Sequence, residues 1–96
     1  MKLYIDTASA EKIIVGIDNE KFETESHHDK SQKLLSFIDQ ILAEKSLTPK
    51  DITEIEIKEG PGSFTGLRVG ISVANAFAYV LSIKVNGKKG LTFPKY

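Results

Sequence analysis

Two rhythms of apolar residues run through this chain, one alternating and one recurring every three or four positions. From Lys2 to Asp6, Leu3 and Ile5 point one way while Lys2, Tyr4 and Asp6 point the other, the period of a half-buried strand. The stretch TASAEK supplies turn residues, and Ile13, Val15 and Ile17 then alternate through IIVGID. DNE turns the chain again, and KFETESH sets Phe22, Thr24 and Ser26 opposite Lys21, Glu23, Glu25 and His27. Three short strands with tight connections predict an antiparallel meander.

The second rhythm begins at Asp29, an expected N-cap with Gln32 as its capping-box partner. Leu34, Leu35, Ile38, Ile41 and Leu42 then form one helical stripe, with Phe37 at its edge. SLTPKDI ends that helix and starts a single further turn, where Thr48 caps, Pro49 suits the first position and Asp51 favours the dipole. ITEIEIKE predicts a fourth strand, with Ile55 and Ile57 against Glu54, Glu56 and Lys58. A second helix should start within SFTG and run to Leu81, followed by a short fifth strand in IKVNG. Strands joined through helices should lie parallel. Strands one, three and four each show one apolar and one charged face, which implies helices mainly on one side and something polar, or water, on the other. The predicted fold is therefore a two-layer α/β lobe with a mixed five-stranded sheet, meander first and then helix, strand, helix, strand. It should occupy residues 1–87, leaving KKGLTFPKY, without a period, as a tail at 88–96.

The second helix is more apolar than a helix on one sheet requires. At about 100° per residue, Arg68, Ser72, Asn75, Tyr79 and Ser82 share one narrow polar stripe, and the rest of the cylinder is apolar or glycine. One sheet contact uses roughly 100–140° of surface. Gly66, Gly70, Ala74 and Ala78 form a ladder of small residues that lets another backbone approach closely. The expectation is that Gly70, Val73 and Phe77 face the sheet. Leu67, Ile71 and Ala78 then make one apolar flank, and Val69, Ala76 and Val80 the other. The first helix can cover one flank, and the other implies a partner. A membrane span is disfavoured, because Arg68 and Asn75 interrupt the run and amphipathic elements surround it.

Composition narrows the picture. Ninety-six residues, 41% hydrophobic and 27% charged, suit one modest core. The absence of cysteine excludes disulfides and cysteine zinc sites, and MKLYIDTASA lacks the apolar core of a signal peptide, so a cytoplasmic location is expected. All 13 acidic residues lie in Met1–Glu59 with eight lysines, while Gly60–Tyr96 holds five basic residues and no acid. That split either marks a footprint for an anion or an acidic partner, or pairs the two halves with each other.

The stretch GPGSFTGLRVG, Gly60–Gly70, connects the fourth strand to the second helix. It lacks the lysine of a P-loop and the spacing of a dinucleotide fingerprint. Two readings remain. Backbone N–H groups at the helix start, with Arg68 one turn in, suit an anion. Alternatively Gly60, Pro61 and Gly62 make a tight turn, and Ser63 or Thr65 caps the helix.

These residues carry a resemblance. GPGSFTGLRVG after ITEIEIKE, with YIDTAS at the start and HHDKSQKLLSFIDQIL between, resembles the bacterial tRNA threonylcarbamoyladenosine biosynthesis family TsaB (YeaZ) over most of Met1–Gly87. The catalytic relative TsaD is a poorer match, since its histidine metal motif has no counterpart after His28. The resemblance implies a ribonuclease H-like lobe of the actin/Hsp70-type ATPase superfamily. It implies a non-catalytic subunit that binds TsaD through its helices, with no cofactor or metal of its own, a TsaE ATPase as a further partner, tRNA reached indirectly, and no membrane. The motif loop is then Gly60, Pro61, Gly62, Ser63, Phe64, Thr65, Gly66 and Arg68. Candidate partner contacts are Leu67, Val69, Gly70, Ile71, Val73, Ala74, Ala76, Phe77, Ala78 and Val80, and Asp6 and Thr7 close the first strand. Family members usually carry a second lobe, and nucleotide binds between two lobes, so a single lobe is not expected to hold ATP well.

Two rivals stand beside this reading. One is a homodimer formed through the spare helix flank. The other is a ribonuclease H-like nuclease, with Asp6 and Glu59 at strand ends and Asp18, Asp29 or Asp39 converging on them around metal ions. The plainer role for Asp6 is a turn residue bonded to its neighbours, and for Glu59 a surface charge. His27 and His28, adjacent on a strand, would point to opposite faces. The nuclease reading predicts magnesium-dependent cleavage of RNA or DNA that Asp6→Asn abolishes.

Overall fold

The computed structural model of the chain describes residues 1–26, 29–90 and 92, so His27, His28 and most of the expected tail lie outside the described residues. Strands β1 (Lys2–Asp6), β2 (Lys12–Ile17) and β3 (Glu20–Glu25) form the expected meander. Helix α1 (Lys30–Glu44), a 3₁₀ turn at Pro49–Asp51, strand β4 (Glu54–Ile57), helix α2 (Phe64–Leu81) and strand β5 (Lys84–Val85) follow. The sheet order is β3-β2-β1-β4-β5, with β1 parallel to β4 and β4 parallel to β5. That order follows from the connections. A helical crossover returns the chain in the same direction, so β4 and β5 add in turn on the free side of β1.

Register puts the apolar positions of neighbouring strands side by side. Leu3 pairs with Ile17 and Ile55, and Ile5 with Val15 and Ile57, on the face that the helices cover. Leu3, Ile5, Ile13, Val15 and Ile55 are buried there with Leu34, Ile38, Ile41 and Leu42 of α1 and Ile71, Val73 and Ala74 of α2. The capping of α1 differs from expectation. Asp29 sits at the N-cap with φ 47° and ψ 50°, and its side chain makes no capping bond, so the box with Gln32 does not form. In that left-handed conformation the residue lacks the extended backbone from which a capping carboxylate reaches the helix N–H groups. The 3₁₀ turn does form its cap, with the Thr48 N–H donating to Asp51 Oδ2 at 2.8 Å.

The opposite sheet face is charged. Lys2 pairs with Glu56 at 2.6 Å, Lys12 with Glu23 at 3.6 Å, and the Lys21 ammonium sits 4.6 Å from the centre of the Tyr4 ring. Partial burial raises the Tyr4 phenol above its usual pKa, and Asp6 and Glu56 add to that. Ion pairs among the described residues lie within Met1–Glu59. The two halves of the charge split meet where Glu54 stands beside Lys84 in register.

Two asparagine side chains close the edge beyond β4. Asn86 and Gly87, at φ 51° and 76°, make a two-residue hairpin turn between Val85 and Lys88, the geometry that Asn-Gly favours. The Asn86 amide both accepts from the Ile57 N–H at 2.8 Å and donates to the Ile57 carbonyl at 3.0 Å, so it continues the ladder where β5 stops. Asn75 on α2 holds Thr92 in the same two-sided way, at 3.0 Å and 3.0 Å. Asn86→Ala orphans both Ile57 backbone groups and strains the turn. It should lower unfolding free energy by about 2 kcal/mol in urea titrations, and Asn86→Gly, which removes the strain alone, should recover only part of it.

Candidate functional site

The glycine corner packs on the end of β1. Gly60, at φ 145°, and Pro61 turn the chain out of β4 through a cis peptide bond. Ser63 then caps α2, its hydroxyl accepting from the Gly66 N–H at 3.3 Å, while its own N–H donates to the Ala8 carbonyl at 2.7 Å. Thr65 is exposed and does not cap. The glycines are spaced one turn apart for a steric reason. A Cβ on Gly62 would lie 2.6 Å from the Ala8 Cβ, one on Gly66 would overlap the Thr7 carbonyl oxygen, and one on Gly70 the Thr7 hydroxyl. Thr7 itself is fully buried, and its hydroxyl donates to the Gly66 carbonyl. The small-residue ladder thus admits the chain's own Thr7, just past β1, by its backbone at Gly66 and by its side chain at Gly70.

This packing uses two of the N–H groups at the start of α2. The Ser63 and Gly66 N–H groups are engaged internally, and the exposed Arg68 guanidinium stacks 5.2 Å from the centre of the Phe64 ring one turn back. Lys30, the first residue of α1, donates through Nζ to the Ser9 carbonyl. Partial burial pushes its pKa below the usual lysine range, and nearby Asp6 acts in the opposite direction. Neither residue was singled out by the sequence pattern, because Lys30 reads as an ordinary helix-start lysine and Ser9 as a loop residue.

The carboxylates do not assemble for nuclease chemistry. Asp6 bonds its neighbours, accepting from the Ala8 N–H at 3.0 Å and the Tyr4 hydroxyl at 3.4 Å. Asp18 accepts from the Lys2 N–H at 3.0 Å, at the other end of β1 and hence roughly 13 Å away along the strand. Asp39 lies in the middle of α1, roughly 13 Å along the helix from Lys30. No three His, Asp or Glu side chains among the described residues are placed to share a metal. Glu59 lies instead beside Glu54 and Glu56 in a shallow depression on the charged sheet face.

The orientation of α2 corrects the expectation. Its buried side is Gly66, Leu67, Gly70, Ile71, Val73 and Ala74, so Leu67, Gly70, Ile71 and Ala74 are interior rather than available to a partner. The helix is turned this way because Gly70 must press on Thr7 and Ile57, which carries Ile71 and Ala74 inward. Val73, itself in the buried core, and the half-buried Phe77 lie at the border with α1. With Leu35, Ala76, Val80 and Leu81 they line an open apolar groove between the two helices. Val80 is 76% exposed and Leu35 49%, while Val69, Phe77 and Ala78 are half-buried. By length and composition alone, Phe64–Leu81, with a mean hydropathy of 1.3, could cross a membrane. Its buried side here is sheet core.

A mixed sheet of this order with both helices on one face, and a glycine corner after the fourth strand, defines the class: a ribonuclease H-like lobe of the actin/Hsp70-type ATPase superfamily. The structure matches YeaZ from Pseudomonas aeruginosa with a TM-score of 0.73 at 24% identity, over 88% of this chain and 41% of that one. In sequence it is 30% identical over 61 residues to the tRNA threonylcarbamoyladenosine biosynthesis protein TsaB of Bacillus subtilis, covering 64% of this chain and 27% of the relative. The TsaB of Escherichia coli is 34% identical over 80 residues, 79% of this chain and 34% of the relative. The chain thus spans about a quarter to a third of these curated relatives. A family model described as "TsaD: tRNA N6-adenosine threonylcarbamoyltransferase" matches residues 22–88. The chain belongs to that family, as a member of its TsaB (YeaZ) kind. The expectation of a poor match to TsaD is corrected in this respect, since the matching model carries the transferase's name across the stretch from β3 to the hairpin.

The steric role of the corner predicts the sign of a glycine substitution. Gly→Ala inside a helix ordinarily gains about 1 kcal/mol. Gly66→Ala should instead lose about 2 kcal/mol or more, because the obstructing atom is the backbone oxygen of Thr7. A melting temperature below wild type checks this, and a rise would show that β1 gives way.

Proposed function

We propose that this chain is a non-catalytic partner lobe in the synthesis of N6-threonylcarbamoyladenosine in tRNA, binding a TsaD-type catalytic subunit through the groove between α1 and α2. The observation that carries the reading is the groove itself. Leu35, Val73, Ala76, Phe77 and Val80 form a continuous apolar surface on the helix layer of a lobe whose other face is charged. Taking each large side chain of such a surface fully out of water stabilises a complex by about 1.5–3 kcal/mol. An amphipathic helix laid along it is the matching mode of recognition. The relatives named TsaB supply the pathway, and the self-filled glycine corner favours a scaffold without a nucleotide cofactor of its own. In this reading tRNA is reached through the catalytic subunit, a TsaE-type ATPase joins the same assembly, and the site of action is the cytoplasm.

A second reading is favoured by the same observation. An apolar groove between two helices also suits an isologous homodimer, in which each copy lays α2 on the other. Size-exclusion chromatography with light scattering, on the chain alone and mixed with a TsaD-type subunit, separates the two. A stoichiometric heterocomplex should form and should be lost in Val80→Glu and Leu35→Glu, whose positions are exposed enough to leave folding intact. Tyr79→Glu, at a position 87% exposed outside the groove, should leave it unchanged. A complex indifferent to the groove variants, or none with the folded wild type, overturns the proposal.

A further inference from the structure

The loop from Thr7 to Ser9 touches the first turns of both helices that line the groove, although it lies at their far end. Its three residues are each held by a different contact. The Thr7 hydroxyl donates to the Gly66 carbonyl, the Ala8 carbonyl accepts from the Ser63 N–H at 2.7 Å, and the Ser9 carbonyl accepts from Lys30 Nζ. The first two contacts place α2 and the third places α1. Asp6 stiffens the loop from behind, accepting from the Ala8 N–H at 3.0 Å.

The Thr7 hydroxyl is the least replaceable of these groups. The residue is fully buried, and the glycines at 66 and 70 leave room for it and for nothing larger. A Gly66 carbonyl in the first turn of an α-helix already has the N–H four residues on as a partner, so the hydroxyl takes its second lone pair. The bond is therefore dispensable for closing the helix. What it adds is a fixed height and rotation of α2 over the end of β1.

We propose that Thr7 is a positioning residue for the groove: through Gly66, and together with the Ser9–Lys30 contact, it sets the separation and rotation of α1 and α2, so that the partner surface is preorganised before anything binds. Its use in partner binding rests on the function proposed above, whereas its effect on the groove does not. Preorganisation raises affinity because less ordering remains to be done on binding. Thr7 touches no partner in this scheme.

The test uses Thr7→Val, which keeps the branched shape and removes the hydroxyl, and Thr7→Ser, which restores the hydroxyl. Methyl NMR of Leu35, Val73 and Val80 reads the groove directly, without a partner, and amide exchange reads the first turns of α2. In Thr7→Val the groove methyl resonances should move, and exchange in the first turns should quicken about tenfold, the loss of one net hydrogen bond. Thr7→Ser should return both towards wild type. Affinity for the TsaD-type subunit should fall about tenfold in Thr7→Val and recover in Thr7→Ser. Groove resonances unmoved in a folded Thr7→Val overturn the proposal. If wild type binds no such subunit, the function proposed above fails while the methyl spectra still decide the role of Thr7. If Thr7→Val does not fold, Lys30→Met, which removes only the contact to Ser9, must shift the Leu35 methyls, and unshifted methyls overturn the proposal.

Discussion

The closest constraint in this lobe is the approach of the first turns of α2 to the backbone of Thr7 and Ala8. At Gly62, Gly66 and Gly70 there is no room for a single additional carbon. Because the helix lies that low at its start, Ile71 and Ala74 reach the sheet, while Val73 and Phe77 lie at the border with α1. The rotation of α2, and with it the identity of the residues that line the groove, follows from three missing side chains. Glycine here is a spacing device, and the helix propensity it forfeits is outweighed by the burial it permits.

The same constraint shapes the start of α2. A helix start with free N–H groups attracts anions. Here the Ser63 and Gly66 N–H groups face Ala8 and the Ser63 hydroxyl, and Lys30 is directed to the Ser9 carbonyl. A corner already filled by its own chain acts as a joint. Asn75 and Asn86 play an analogous part at the other edge, since an amide side chain presents a donor and an acceptor with the spacing of a strand. They complete backbone pairing where regular structure runs out.

Much of this was legible along the chain. Alternation located β1, β2, β3 and β4, and the two helices begin and end close to where capping residues and periodicity put them, with Ser63 as the cap of α2. The excess of apolar surface on α2 pointed to an uncovered flank, and Val80 and Ala76 are exposed there. Asp29 stands at the expected N-cap position without its capping bond, because residue type gives the tendency to cap while the residue's own backbone angles decide whether the side chain can reach. The sheet-facing side of α2 is rotated by roughly 50° from the expected one, with Gly70 central to both and Ile71 and Ala74 taking the place of Phe77. A helical wheel shows which residues share a side, and it cannot show which side another segment is able to approach. Asp6 and Glu59 could be named as strand-end carboxylates, but only the register of β1 places Asp18 beyond reach of Asp6.

By itself the sequence determined the elements, their order, the parallel pairing that helical crossovers impose and the presence of a helix more apolar than one sheet contact requires, because all of these depend on local periodicity and on short-range chain geometry. Tertiary structure decided the rest: that the glycine ladder receives β1, that Thr7 and Lys30 bind one loop to two helices, and that the groove opens at Leu35, Val73, Phe77 and Val80. These are contacts between residues 20 to 60 positions apart, set by packing without overlap. No local pattern encodes which surfaces will be able to touch.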